Sequence, residues 1–170
     1  HAPDVAARID ALERWTHATH RRIAPAMDER LRLGFVRECH GDLHLANMVL
    51  FEDRVVVFDC IEFNPALRWI DVMAEIAFTV MDLLHRGRRD FAQRFLNDYL
   101  EETGDFAGLA VLRFYVVYRA MVRAKIAAIR ATQESASDAR GRDHADFLAH
   151  LALAEACARA APPTLVITCG

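Results

Sequence analysis

The stretch Cys39-His40-Gly41-Asp42-Leu43-His44-Leu45-Ala46-Asn47, continued through Met48–Phe51 and Val55–Phe58 to Asp59-Cys60-Ile61-Glu62-Phe63-Asn64, decides how the chain is read. Met48–Phe51 and Val55–Phe58 are β-branched and aromatic runs, and Glu52-Asp53-Arg54 between them is a turn, so a hairpin is predicted. Phe35–Cys39 upstream is also strand-like. Outside this segment the period changes to three and four residues. Val5, Ile9, Leu12, Trp15, Ile23, Met27 and Leu31 predict helix from Asp4 to about Leu33, which Pro25 kinks or splits and Gly34 ends. Ile70–His85 is apolar nearly all round and predicts a buried helix. Helices are then expected over Phe91–Glu102 (capped by Asp90), Phe106–Thr132 and His144–Ala161, with a polar loop over Gln133–Gly141. The fold class expected is α+β, mostly helical.

Polar groups on both sides of a small apolar hairpin are rarely there for packing. Phosphoryl transfer needs a carboxylate near the attacking hydroxyl and hard oxygen ligands that hold Mg²⁺ against nucleotide phosphates. Asp42 is followed five residues later by Asn47, and Asp59 ends the returning strand, where it can face Asn47.

With 170 residues, 54% of them hydrophobic, the chain can fill one core. A net charge of −3 and a pI near 6.2 argue against nucleic acid or an anionic membrane as main partner. No apolar run reaches membrane-spanning length. Cys39, Cys60, Cys157 and Cys169 lack CxxC spacing and suit free thiols in a reducing cytoplasm.

His40-Gly41-Asp42-Leu43-His44 with Asn47 and then Asp59 resembles the aminoglycoside phosphotransferase and choline kinase-like family, a branch of the protein kinase-like fold. The resemblance implies a kinase-like C-terminal lobe over residues 1–161 and an ATP- and Mg²⁺-dependent transfer to a hydroxyl of a small molecule. Asp42 would be the catalytic base, His40 the loop anchor, and Asn47 and Asp59 the Mg²⁺ ligands. Asp71 would be the buried aspartate that braces the loop. The Asp59–Asn64 run and the Pro162-Pro163 ending look like bacterial two-domain proteins in which such a domain precedes a P-loop ATP-binding domain. On that reading 162–170 is a linker and first strand, and both ends look cut.

Several roles stay open at this level. Glu62 touches a second metal or pairs with Arg68, the latter preferred. His44 contacts the phosphoryl group or hydrogen-bonds within its loop. Tyr115, Tyr118, Arg119 and Arg123 line an acceptor pocket or, by preference, form a solvated face. A metal hydrolase using His40, Asp42 and His44 is an alternative, although His144 and His150 read as solvent-facing or capping. A catalytically silent kinase-like scaffold is another. Lys125, the sole lysine, falls in a helix, and no Gly-rich loop is present, so the chain alone is expected to bind ATP poorly and to show no turnover.

Overall fold

The computed structural model describes residues 4–134 and 136–159. The first helix, α1 (Val5–Arg32), starts where the Asp4 carboxylate accepts the Ala6 N–H at 3.0 Å. It runs through Pro25 as one element and is not split. Its buried residues Leu12, Thr19, Ile23 and Arg30 recur at steps of seven, four and seven, so one stripe is anchored on both sides of the proline. Tertiary packing thereby offsets the hydrogen bond that Pro25 cannot donate.

Strand β1 (Val36–Glu38) pairs antiparallel with β4 (Trp69–Asp71), Val36 opposite Asp71 and Glu38 opposite Trp69. The apolar Trp69-Ile70 therefore belongs to a strand, and helix α2 (Val72–His85) begins two residues later than its periodicity predicts. Asp71 is its N-cap, accepting the Met73 N–H at 2.8 Å. The hairpin forms as expected from β2 (Met48–Phe51) and β3 (Arg54–Val57), with Met48 opposite Val57. Its turn residues Glu52 and Asp53 both have positive φ (47° and 60°), the hand that matches strand twist.

Helices α3 (Arg89–Thr103), α4 (Leu109–Gln133) and α5 (Ser137–Arg159) complete the element order. Asp90 does not cap α3: it sits in the first turn and pairs with Arg88 at 2.8 Å. The Ser- and Asp-rich segment expected as loop already forms the start of α5, with Asp138 in the first turn, where a carboxylate favours the helix. Segment 162–170 lies outside the described residues.

The main core joins α1, α2, α4 and α5 through Leu12, Phe78, Met81, Val117, Ala120 and Leu151. A second cluster, Ile23, Met73, Leu100 and Val111, lies toward α3. Between them and the strands sits a buried ionic knot. Arg30 donates to both carboxylate oxygens of Asp71 (2.7 and 2.8 Å) and to both of Asp105 (2.6 and 2.8 Å). Its guanidinium also stacks on Phe35, 4.3 Å from the ring centre. The fold is thus α+β and mostly helical. Among the described residues no helix is long and apolar enough to cross a membrane.

Candidate active site

The loop between β1 and β2 is fixed from three directions. His40 bridges one end: its Nε2 lies 2.8 Å from the Phe58 carbonyl oxygen, and its Nδ1 accepts the Asp42 N–H at 3.3 Å. Both ring nitrogens thus face backbone partners, and a metal-ligand role would break one of those contacts. Gly41 has φ +85°, and a Cβ there would lie 2.8 Å from the Leu67 carbonyl oxygen and 3.1 Å from Ile61 Cδ1. Glycine is therefore required on both counts.

From below, α2 meets the loop with a polar stripe. Glu75 accepts the Gly41 N–H at 3.0 Å, Thr79 donates to the Leu43 carbonyl at 2.8 Å, and Asp82 accepts the Leu45 N–H at 2.9 Å. From the side, Arg119 of α4 donates to the carbonyls of Gly41 and Ala74, both at 3.1 Å, and lies over Phe78. Arg119 is buried, so the expectation of a solvated face does not hold for it. Asp71 does not reach the loop with its carboxylate, whose bonds go to Arg30 and Met73. The bracing assigned to it is carried by Glu75, Thr79, Asp82 and Arg119. The signal in the sequence is Glu75, Thr79 and Asp82 at steps of four and three within the otherwise apolar run Val72–Leu84.

The loop gathers Asp42, His44 and Asn47. The Asn47 amide nitrogen donates to the Asp42 carbonyl (3.0 Å) and to Asp42 Oδ2 (3.2 Å), which directs Asn47 Oδ1 elsewhere. His44 is buried edge-on against Phe78, with Nε2 at 3.3 Å from Asp42 Oδ2 and at 3.5 Å from Arg123 Nη1. Hydrogen bonding from His44, with lesser help from Arg123 and Asn47, outweighs burial and holds the Asp42 carboxyl below its usual range. Asp42 is therefore ionised at neutral pH.

Beyond the hairpin, the Phe58 N–H donates to the Asn47 carbonyl at 3.0 Å and draws the two ends together. Asp59 follows with φ +61°, an uncommon backbone for a non-glycine residue. Asp59 and Glu62 are exposed and line an open cleft of about 570 Å³ together with Asp42. Glu62 does not pair with Arg68, because the β1–β4 register brings Arg68 to Glu38 at 2.8 Å. Asp42 also lines a largely apolar cavity of about 510 Å³ walled by Trp69, Phe78, Tyr115, Tyr118 and Val122. Cys39, Cys60 and Cys157 are free thiols, and burial pushes the Cys39 thiol up to about 11.

Burial raises the Glu75 carboxyl, against the Gly41 hydrogen bond and Arg119, and its Oε1 is buried without a partner among the described residues. The folded protein thus holds this proton more tightly than the unfolded chain does. Glu75 favours the fold at low pH, and that contribution fades as pH rises from about 4.5 through the raised value. Glu75→Gln keeps an acceptor for Gly41 and should cost under about 1 kcal/mol at neutral pH, whereas Glu75→Ala should cost about 1–3 kcal/mol. Denaturant midpoints distinguish the two; equal losses would show that the acceptor is irrelevant.

An uncharacterized protein of Mycobacterium tuberculosis (strain H37Rv) is 37% identical to the chain over 113 residues, 65% of this chain and 23% of the relative. An uncharacterized protein of Mycobacterium bovis matches with the same figures. The matched region is thus less than a quarter of the length of these curated relatives. No protein-family model matches the chain, and no solved structure does.

Proposed function

We propose that the chain is the kinase-like catalytic lobe of an aminoglycoside phosphotransferase-like enzyme that transfers the γ-phosphoryl group of ATP to a hydroxyl of a small molecule. The observation that carries this reading is that Asp42, ionised and bonded to Asn47, shares one cleft with Asp59 and Glu62. Asp42 orients the acceptor hydroxyl and takes its proton late, because a loose transition state leaves positioning as the main contribution. The apolar cavity beside Asp42 suits the body of the acceptor. His44 steadies the Asp42 carboxylate from within the loop, which favours the hydrogen-bonding role over direct contact with phosphate.

Asp59 and Glu62 line the cleft with carboxylates and Asn47, bonded to Asp42 beside it, would add an amide oxygen, a set of hard donors that fits Mg²⁺ better than zinc. When bound, the ion would neutralise charge on the nucleotide phosphates. The nucleotide-clamping residues would come from chain beyond this sequence.

The test uses a longer protein that contains this segment: ATP consumption is followed across sugars, amino alcohols and aminoglycosides. Turnover on at least one hydroxyl acceptor is expected. Asp59→Ala should weaken Mg²⁺-dependent nucleotide binding at least ~10-fold, in line with loss of a metal-site contact. Nucleotide affinity indifferent to both Mg²⁺ and this substitution would remove the metal assignment.

A further inference from the structure

Away from the cleft, the last residue of α2 meets α5. The His85 and His150 rings lie face to face, 3.7 Å apart and 13° from parallel. His85 Nε2 lies 3.3 Å from Asp146 Oδ1. His150 Nδ1 lies 3.1 Å from the same oxygen and 2.9 Å from the Asp146 carbonyl oxygen. His150 is buried, contrary to its solvent-facing expectation. We infer that His150, stacked beneath His85, is an acid-sensitive latch that holds the first half of α5 on the end of α2 and releases it in mild acid.

The hydrogen positions follow from the partners. An ionised carboxylate and a carbonyl only accept, so neutral His150 carries its hydrogen on Nδ1 and neutral His85 carries its own on Nε2. Asp146 then satisfies both rings. A further proton on His150 makes an imidazolium that is cut off from water and pressed against a second imidazole. Burial opposes that charge most, His85 on α2 and Arg123 on α4 oppose it too, and Asp146 on α5 favours it. Asp82, one turn before His85, is committed to the Leu45 N–H and to Arg86. The balance holds His150 below the usual histidine value, so the closed protein takes up this proton less readily than an opened α5 does. The stabilisation is complete above about pH 6.5 and is lost as pH falls through the lowered folded value. Release is local because of where His150 sits. Residues 137–149 are exposed or half-buried, apart from His150 itself only Leu151 and Ala154 of α5 are buried, and both belong to the main core.

The test is amide hydrogen exchange of the full chain, resolved by residue and corrected for its intrinsic pH dependence, from pH 7.5 to pH 5. Protection over 138–149 should fall about 10-fold more than protection over α2 and α4, the size that one proton taken up on opening gives. His150→Asn keeps a donor near the place of Nδ1 but takes no proton, and the excess loss should vanish. His85→Ala lets water reach His150 and should shrink the loss to about 3-fold or less. Circular dichroism checks that both variants fold. In the parent, the His150 ring resonances should titrate below pH 6.5. Constant relative protection in the parent, an equal loss across all helices, titration of His150 at or above pH 6.5, or the full loss in either folded variant would overturn the latch.

Discussion

Asp42→Asn, placed in a longer enzyme that carries this chain, should lower phosphoryl transfer by about 10²–10⁴-fold, the usual contribution of a positioned acid–base group. Nucleotide affinity should stay within a few-fold. The substitution preserves shape, since an asparagine oxygen in the place of Oδ2 still accepts from the Asn47 amide and still faces His44 Nε2. What disappears is the carboxylate that aligns the acceptor hydroxyl and receives its proton. Single-turnover measurements at saturating ATP separate this loss from any change in binding. Turnover within a few-fold of the parent would take Asp42 out of the chemistry and the phosphotransfer reading with it.

Arg30→Met should be the most damaging single change to the fold. It leaves Asp71 and Asp105 buried, with side chains 4% and 1% exposed, and without their counter-charge. Removing one partner from a buried ionic group costs about 3–5 kcal/mol. The sign with pH is specific. Burial alone would raise the Asp105 carboxyl, but hydrogen bonds from Arg30 and Tyr99 outweigh it and hold it below its ordinary value. In the parent, this contribution is therefore complete above about pH 4 and is lost as pH falls through the lowered folded value. In Arg30→Met the Asp105 carboxylate loses that support, so mild acid should recover part of the deficit rather than add to it. Urea midpoints from pH 4 to 7 give both slopes; parallel profiles would mean that the knot is not held by charge.

These two residues differ in how visible they are beforehand. Asp42 stands in a short, dense pattern whose members are bound by local hairpin geometry, so spacing alone suggests its neighbours. Arg30 looks like any arginine on an amphipathic helix, because Asp71 and Asp105 approach it only after folding. The same holds for Arg119, whose acceptors are the carbonyls of Gly41 and Ala74. Short non-local pairing is hidden for a related reason: Trp69-Ile70 is apolar and continuous with α2, and only contact with Val36–Glu38 makes it a strand. The hairpin and the buried character of α2 were legible because both rest on periodicity within one segment. The start of α5 was not, since polar residues at a helix N-terminus resemble a loop until the first turn closes.

The stripe on α2 has a consequence for how this protein can vary. Glu75, Thr79 and Asp82 meet Gly41, Leu43 and Leu45, so every second residue of the loop is matched to a step of four or three along a helix. Those helix steps advance about 6.0 and 4.5 Å, and each is matched to two residues of the loop. The two scales agree over a single window only, like the marks of a vernier. A substitution at one mark loosens one contact. A one-residue insertion between Glu75 and Asp82 turns everything beyond it by about 100° about the helix axis and puts the remaining marks out of phase together. Length in this segment, more than residue identity, is what keeps Asp42 in place.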